Sequence, residues 1–278
     1  MKILPRFDLT RRVYVMGILN VTPDSFSDGG RFFDSKKAVR HSLAMVADGA
    51  DIIDVGGEST RPGSRGISAS EELRRVIPVI KALAKRSRVP ISIDTMKSEV
   101  ADEAIRAGAT IVNDVSGLKY DKKMASVAAK HDVSLIIMHM RGTPGNMQLN
   151  PRYKDAVRDI ISDLKIAINK AMKAGVDSGK IMIDPGIGFG KTFRHNLEIL
   201  NRLEEFKELK TPICIGTSRK SFIGRALGVE DPDERIIGTV ATCVIAIMKG
   251  ARLIRVHDVK EAAQAVRMAE SVLKSGVR

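Results

Sequence analysis

The sequence has few aromatic residues, and this shortage bears on the charge it carries. Aromatic residues make up 4% of the 278 residues, and tryptophan is absent. Proteins that hold single-stranded nucleic acids stack bases on aromatic side chains. The Lys and Arg residues behind the net charge of +13 are spread along predicted helices without a dense basic block. We therefore interpret the charge as a solvated exterior and expect no nucleic-acid partner.

Cysteine and long apolar runs are also scarce. The two cysteines, Cys214 and Cys243, both lie inside apolar stretches, so they are expected in the core, without a disulfide framework or zinc spacing. No apolar run reaches the length of a membrane span, and residues 1–10 combine three charged residues with a proline, unlike a secretory signal. We expect a cytoplasmic protein that does not contact membranes.

A short apolar segment followed by a longer amphipathic one recurs through almost the whole sequence. Continuous apolar segments are typical of parallel strands that are buried on both faces. Eight such strands are predicted, at residues 13–18, 51–55, 91–94, 110–113, 134–138, 181–184, 212–216 and 252–256. Eight strand–helix units in this length favour the α/β class and a (β/α)8 TIM barrel. An open, doubly wound sheet is the alternative.

No linker rich in Pro, Gly or Ser divides the chain, so residues 1–278 are predicted to form a single barrel domain. Ser35 is expected to cap the first helix, and Ser68 with Glu71 has capping-box spacing before the second. Pro78 predicts a kink or a late start in that second helix. The longest helix is expected at about residues 152–174.

Polar residues follow the predicted strands, where a TIM barrel builds its site. Singly, each is explained by a turn or a helix cap, but their convergence on one rim indicates a binding site. In chain order they are Asn20; Glu58, Thr60 and Arg61; Asp94; Asn113 and Asp114; His139; Asp184; Ser218, Arg219, Lys220 and Ser221; and Arg255 and His257.

These rim residues divide by chemistry into two groups. One has carboxylate and amide edges suited to the N–H donors of a planar heterocycle: Asp94, Asn113 and Asp184. Lys220 suits the acceptors of that ring. The other group suits an anion such as phosphate: Arg255, His257 and Asn20. Asn20 also offers a neutral oxygen to a Mg²⁺ ion bound mainly by phosphate oxygens.

The stretch DVGGESTRPG at residues 54–63 places two glycines directly after a predicted strand. A dinucleotide-binding turn would need a third glycine at the opening of a helix. Here Pro62 and Gly63 prolong a loop instead. We interpret the stretch as a shaped recognition loop that presents Thr60 and Arg61.

Eight segments of the sequence, in order, resemble motifs of the dihydropteroate synthase family. They are MGILNVTPDSFSDGG at 16–30, DVGGESTRPG at 54–63, ISIDT at 91–95, NDVSG at 113–117, MHMRGTP at 138–144, IDPGIGFGKT at 183–192, GTSRKSFIG at 216–224 and RVHDV at 255–259. The resemblance implies a transferase of folate biosynthesis. Such an enzyme joins 4-aminobenzoate to (7,8-dihydropterin-6-yl)methyl diphosphate, giving 7,8-dihydropteroate and pyrophosphate.

The resemblance also implies roles for residues at the matching positions. The pterin ring is expected at Asp94, Asn113, Asp184, Lys220 and Arg255. The diphosphate is expected at Asn20, Thr60, Arg255 and His257, with Mg²⁺ on Asn20. The aminobenzoate is expected at Phe26, Thr60, Arg61, Pro62, Phe189, Lys220 and Ser221. The residues expected to act in catalysis are Asp28, Arg61, Lys220 and Arg255, under long loops 1 and 2 that follow the first two strands.

Three further expectations accompany this resemblance. The displacement is expected to be dissociative, so that pyrophosphate leaves before the arylamine attacks. No insertion interrupts the aminobenzoate motifs, so sensitivity to sulfonamides is expected. Residues 238–249 are apolar on most sides of a predicted helix, which indicates a homodimer that buries this helix.

Three alternatives compete with the synthase. A methyltetrahydrofolate:corrinoid methyltransferase would share the pterin pocket but would not need a diphosphate clamp. A Schiff-base aldolase would use Lys220 as nucleophile, with the neighbouring Arg219 depressing the Lys220 pKa. A binding or structural protein on an inactive barrel is the third.

Overall fold

The computed structural model describes residues 2–4, 7–9, 11–22 and 35–276. Phe26 and Asp28, both predicted as site residues, lie outside the described residues. So does most of loop 1, residues 21–34.

Eight parallel strands close into one barrel, in which β8 pairs with both β7 and β1. The strands are β1 (Tyr14–Asn20), β2 (Ile52–Gly56), β3 (Ile91–Asp94), β4 (Ile111–Asp114), β5 (Ser134–Met138), β6 (Ile181–Asp184), β7 (Ile213–Ile215) and β8 (Ala251–Val256). The predicted TIM barrel is confirmed, and the doubly wound alternative is wrong. An additional pair of short antiparallel strands, Lys2–Leu4 and Phe7–Asp8, was not predicted.

The helices follow the strands and cover the outside of the barrel. They are α1 (Ser35–Ala47), α2 (Ala69–Arg86), α3 (Ser98–Ala107), α4 (Met124–Lys130), α5 (Ala156–Lys173), α6 (Phe193–Asn201), α7 (Ser221–Leu227), α8 (Ile236–Met248) and α9 (Val259–Ser275). Short 3₁₀ turns cover Ser178–Lys180, Leu203–Leu209 and Pro232–Arg235. Within the described ranges, none of the helices combines the length and apolarity required to cross a bilayer.

The two longest helices, α2 and α5, begin at side-chain caps. The Ser68 hydroxyl accepts a hydrogen bond from the Glu71 N–H at 3.2 Å, as its position before α2 predicts. Because α2 is continuous through Pro78, the expected late start is wrong. α5 begins after Asp155, whose carboxylate accepts from the Arg158 N–H at 3.0 Å, so it starts later than residue 152. At 18 residues it equals α2 in length.

The strands separate two apolar layers. A larger layer lies between strands and helices, and a smaller one fills the barrel, where Met16, Ile111 and Met182 are fully or nearly fully buried. Cys214 belongs to the inner layer and Cys243 to the outer, and both are free thiols, as predicted. Parallel registers pair Asn20 with Gly56, Gly56 with Asp94, and Asp94 with Asn113, which places these ends at one height.

Candidate active site

The barrel interior changes from apolar to polar toward the carboxyl ends of its strands. Side chains two residues apart face the same side of a strand. The apolar inner residue of several strands is therefore followed, two positions later, by a polar one at the rim. These pairs are Ile52 and Asp54, Ile111 and Asn113, Met182 and Asp184, and Leu253 and Arg255.

Arg255 lies at the centre of this polar layer. Its Nε donates to Asp54 Oδ2 at 2.7 Å, and one Nη donates to Asp94 Oδ2 at 2.6 Å. The Asn113 amide also donates to Asp54 Oδ2, at 3.1 Å. Burial opposes the charge of the guanidinium, but Asp54 and Asp94 raise the pKa of Arg255 above its ordinary value. Two buried carboxylates thus hold one cation in a fixed orientation.

Asp54 was not among the predicted site residues. Its side chain is fully buried, and it organises both Arg255 and Asn113. The available signal was a charged residue inside an otherwise apolar strand, in phase with Ile52. Buried charges at such positions need partners, and here the partner comes from β8.

Two oxygens of these carboxylates are unused. Asp54 Oδ1 and Asp94 Oδ1 are buried and have no hydrogen-bond partner within the described part of the chain. Burial raises the pKa of Asp94 to about 7, although Arg255 opposes the shift. A ligand that donates N–H groups would satisfy such acceptors and favour the ionised form.

Asp184 and Lys220 form the opposite side of the rim. Asp184 Oδ1 accepts from the Gly186 N–H at 2.7 Å, and burial raises its pKa. Lys220 Nζ donates to the Ile187 carbonyl and lies 4.8 Å from the centroid of the Phe189 ring. Burial lowers the pKa of Lys220 to about 8, against the opposing effect of Asp184.

Arg219 does not act as predicted for the aldolase alternative. Its guanidinium donates to Asp258 at 3.0 Å and also pairs with Asp233. The lowered Lys220 pKa comes from burial and from Arg255. The expectation that Arg219 depresses the Lys220 pKa is therefore wrong, because its charge is directed to the carboxylates of two other segments.

His257 has a defined hydrogen-bond pattern. Ser218 Oγ accepts from the His257 N–H at 3.1 Å, and the same hydroxyl lies 3.0 Å from His257 Nδ1. Burial, with a contribution from Arg255, lowers the pKa of His257 to about 3, so the ring is neutral near pH 7. If the serine hydroxyl donates to Nδ1, the ring proton lies on Nε2, where it serves as a donor.

Loop 2, residues 57–68, carries Thr60, Arg61 and Pro62 over this rim. Thr60 is half-buried, whereas Arg61 and Pro62 are exposed. The Gly63 N–H donates to the Pro144 carbonyl at 3.0 Å, which joins loop 2 to the loop after β5. Arg61 also contributes to lowering the His257 pKa, so its charge acts on the anion-binding side.

The remaining predicted residues lie around the same opening. Asn20 is the half-buried last residue of β1, and Ser221 is the exposed first residue of α7. Phe189 is half-buried against a cluster of apolar residues beneath it. That cluster comprises Met96, Val115, Met138, Met140 and Met147.

A metal at this site would depend on its substrate. Among the described residues, no group of three or more His, Cys, Asp or Glu side chains could hold an ion. Asp54 and Asp94 are already engaged by Arg255. Asn20 offers one neutral oxygen, which fits a Mg²⁺ ion whose other ligands are diphosphate oxygens and water.

His139, which was predicted at the rim, is buried and paired with Lys191, a buried residue that was not predicted. His139 Nδ1 lies 3.0 Å from Lys191 Nζ, and His139 Nε2 lies 3.1 Å from Asp163 Oδ2. Lys191 Nζ donates to the Phe189 carbonyl at 2.9 Å, which ties the Phe189 loop to the barrel. Burial lowers the pKa of His139 to about 3. The sequence signal was the lysine directly after GFG at residues 188–190.

Comparison with known proteins agrees with the site. Residues 16–257 match the family described as pterin binding enzyme. The chain is 53% identical over 269 residues to dihydropteroate synthase from Clostridium beijerinckii, covering 96% of this chain and 97% of the relative. It is 51% identical over 265 residues to the Bacillus subtilis dihydropteroate synthase, covering 95% and 90%.

Solved structures give the same result. A Clostridium difficile dihydropteroate synthase, crystallised in the presence of pteroic acid, matches with a TM-score of 0.90 and 52% identity over 96% of this chain and 98% of that one. The Yersinia pestis dihydropteroate synthase, in a sulfonamide drug complex, matches with a TM-score of 0.91 and 46% identity over 96% of each chain. The chain belongs to the dihydropteroate synthases, a family of pterin binding enzymes.

Proposed function

We propose that the chain condenses (7,8-dihydropterin-6-yl)methyl diphosphate with 4-aminobenzoate, releasing pyrophosphate and forming 7,8-dihydropteroate. The main support for this proposal is the Arg255 guanidinium, which is held between the carboxylates of Asp54 and Asp94. The second oxygen of each carboxylate is buried and has no partner in the described part of the chain. Such a site accepts N–H donors from a flat ring and presents a fixed cation near it.

The pterin ring is proposed to bind on the carboxylate side of the rim. Asp94, Asn113 and Asp184 would accept from or donate to its polar edge, and Lys220 would donate to ring acceptors. Arg255 would lie over the ring face, where a planar guanidinium stacks favourably. The buried setting favours this role, since ring N–H groups would replace hydrogen bonds that the carboxylates otherwise lack.

The diphosphate is proposed to bind on the cationic side. Arg255 carries charge there, while neutral His257 would donate its Nε2–H and Thr60 its hydroxyl to phosphate oxygens. Asn20 would hold Mg²⁺ together with those oxygens. When bound, the ion would neutralise charge that develops on the leaving pyrophosphate.

The arylamine is proposed to lie between loop 2 and α7. Arg61 and Ser221 are exposed toward solvent and suit the carboxylate of 4-aminobenzoate, while Phe189 and Pro62 offer apolar surface to its ring. Lys191 supports the Phe189 loop from below. Phe26 and Asp28 of loop 1 are proposed to complete this pocket.

A dissociative displacement suits these groups. The bond from the pterin methylene carbon to the diphosphate oxygen breaks, and both electrons leave with pyrophosphate. The resulting methylene cation is delocalised into the dihydropterin, whose positive charge the buried carboxylates Asp94 and Asp184 stabilise. The neutral amine of 4-aminobenzoate then forms the C–N bond, and the resulting ammonium loses a proton to solvent. A neutral amine requires no strong base for its attack.

The assembly is proposed to be a homodimer in the cytoplasm. α8 exposes an apolar stripe in which Ile237, Ile245 and Met248 are 77%, 44% and 49% exposed. α9, which packs against α8, also exposes Met268 and Val272, at 64% and 49%. Large exposed apolar side chains on two packed helices suit a subunit interface.

Release of pyrophosphate tests the reaction. The purified protein is mixed with the pterin diphosphate, 4-aminobenzoate and Mg²⁺, and pyrophosphate is expected in equal amount to dihydropteroate. Arg255→Ala should reduce the rate about a thousandfold. Arg12→Ala, which removes a 2.6 Å pair with Asp51 at the other end of the barrel, is the matched control. Folded wild-type protein that releases no more pyrophosphate than the no-enzyme control would overturn the proposal.

A further inference from the structure

Three charged side chains form a buried cluster at the base of loop 2, and one of them, Glu58, was predicted among the rim residues. Lys97 Nζ donates to Glu72 Oε2 at 2.6 Å and to Glu58 Oε2. Glu58 lies in loop 2, Glu72 in the first turn of α2, and Lys97 between β3 and α3. We call these three residues the Lys97 cluster. It joins three segments that are separate in sequence.

The cluster is shielded from water. The side chains of Lys97, Glu58 and Glu72 are 11%, 9% and 0% exposed. Burial raises the pKa of Glu72, and it opposes the charge of Lys97, whose pKa is nevertheless raised by hydrogen bonds to both carboxylates. The cost of desolvating buried charges offsets much of their attraction, and apolar replacements of such pairs are often neutral or stabilising. The cluster therefore contributes a defined geometry more than it contributes stability.

That geometry connects loop 2 to the Asp94 turn. Glu58 precedes Thr60 and Arg61 within the loop, and Lys97 follows Asp94 in the segment after β3. The Lys97 N–H donates to Thr95 Oγ1 at 3.1 Å, so the turn is itself ordered. The cluster therefore ties the start of loop 2 to the segment that follows Asp94.

The backbone at the same point is fixed by α2. A Cβ on Gly57 would lie 2.7 Å from a methyl carbon of Val76 and 3.0 Å from Glu72 Cγ, so only glycine fits against the helix. Arg75 donates to the Gly57 carbonyl at 2.8 Å. Beyond this point loop 2 is held next by the side chain of Glu58, and further along by the hydrogen bond from the Gly63 N–H to the Pro144 carbonyl.

We propose that Lys97 is a positioning residue that acts through Glu58 to hold Thr60 and Arg61 at the aminobenzoate and diphosphate side of the site. It touches no substrate. The inference rests on the proposed function, because it assigns a purpose to the position of Thr60 and Arg61. Loss of the cluster should impair aminobenzoate use while the pterin pocket on the barrel stays intact.

Three variants separate this role from folding. Glu58→Gln removes the carboxylate on the loop side and keeps the buried Lys97–Glu72 pair, so the fold should persist. Lys97→Met removes the cation that both carboxylates share, and Lys97→Arg restores a cation. Lys180→Met is the matched control, because Lys180 also bridges a carbonyl and a carboxylate, both of Asp132, at the opposite end of the barrel.

Steady-state kinetics and pterin binding are then compared. Glu58→Gln and Lys97→Met are expected to raise the KM for 4-aminobenzoate about tenfold. Lys97→Arg should return this KM most of the way to the wild-type value. The Kd of 6-hydroxymethylpterin, which lacks the diphosphate, should stay within about twofold of wild type. An unchanged KM in folded Glu58→Gln, or a KM and a pterin Kd that rise together in all variants, would overturn the inference.

A second readout does not depend on turnover. Arg65 is exposed in loop 2 and is followed by Gly66, so trypsin can cut there once the loop departs from its position. Glu58→Gln should be cut after Arg65 about tenfold faster than wild type or Lys180→Met, as seen by intact mass. Equal cleavage would contradict the proposal. If wild type releases no pyrophosphate, the proposed reaction fails, whereas cleavage still decides whether the cluster holds loop 2.

Discussion

Asp54 and Arg255 are 201 positions apart in the chain and are joined by a 2.7 Å hydrogen bond inside the barrel. Asp54 is fully buried and also accepts from the Asn113 amide. A single carboxylate on β2 thus orients a cation from β8 and an amide from β4. Asp54 therefore positions two residues, Arg255 and Asn113, that are proposed to contact the pterin.

Replacing Asp54 by alanine should disable the site and weaken the fold. Removal of one partner from a buried ion pair costs about 3–5 kcal/mol, because the other charge stays buried. Urea denaturation should report this loss in the free energy of unfolding, and kcat/KM should fall at least about a hundredfold. Asp51→Ala, which breaks the Arg12 pair at the other end, should leave kcat/KM within about twofold. A similar loss of kcat/KM in both variants would contradict this assignment.

The pH dependence of kcat/KM should have two limbs. Asp94, with a pKa raised to about 7 by burial, must be ionised to accept from the pterin, so kcat/KM rises as pH increases through that value. Lys220, with a pKa lowered to about 8 by burial, loses its ammonium above that value, so kcat/KM falls again.

Asp94 also makes the free energy of unfolding depend on pH. Because its pKa is raised in the folded protein, protonated Asp94 favours the folded state. This contribution to stability is present at low pH and is lost as the pH rises through about 7.

Lys220→Arg separates the two limbs. A guanidinium stays protonated throughout this range, so the alkaline limb should move to higher pH while the acid limb remains. The measurement is initial rate at low substrate between about pH 6 and pH 9. A flat profile in wild type would contradict both assignments.

Two glycines with nearly the same φ should respond differently to replacement by alanine. Gly186 has φ +71°, and a Cβ there would lie 1.9 Å from the His139 carbonyl oxygen. Gly228 has φ +70° with nothing within 4 Å of such a Cβ. Gly228→Ala should cost only the left-handed strain of about 1 kcal/mol. Gly186→Ala should cost at least about 3 kcal/mol by urea denaturation. Equal losses would show that the clash relaxes freely.

The proposed dimer should depend on the stripe on α8. Ile237→Asp places a charge on its most exposed member and should yield monomers by analytical ultracentrifugation at micromolar concentration. Ile166→Asp is the control, since Ile166 is also exposed, at 66%, but lies on α5. A wild-type monomer under these conditions would contradict the dimer directly.

Sulfonamides should compete with 4-aminobenzoate. The proposed arylamine pocket, between Arg61, Phe189 and Ser221, suits an aniline that carries an acidic group on the far side of its ring. Inhibition should raise the KM for 4-aminobenzoate and leave kcat unchanged. Normal turnover with a large excess of sulfonamide would show that the pocket rejects it.

The barrel and much of its rim are predictable from sequence because their signals are local. Apolar strand segments and helix caps such as Ser68 operate over a few residues. Polar residues at strand ends, including Asp94 and Asp184, share one rim in any barrel of this kind. Closure of the barrel therefore brings them together without further information.

Other features depend on partners distant in sequence. Asp54 is a charged residue that interrupts an apolar strand, and its reason for being there is evident only from its ion pair with Arg255. Arg219 is next to Lys220 in sequence, which suggests that its charge lowers the Lys220 pKa. In the structure it pairs instead with Asp258 and Asp233. Glu58, read within its loop alone, gives no sign of its contact with Lys97. Side-chain pairing of this kind follows from packing, so no local pattern predicts it.

The contact of β8 with β1 sets an order of events during synthesis on the ribosome. Asp54 and Asp94 are translated early, whereas their shared cation, Arg255, belongs to the last strand. Until β8 emerges, the two carboxylates have no cation from that strand and are better left hydrated than enclosed. A nascent chain should therefore keep its barrel open on this side, and substrate affinity should arise only once β8 has joined β1 and closed the barrel.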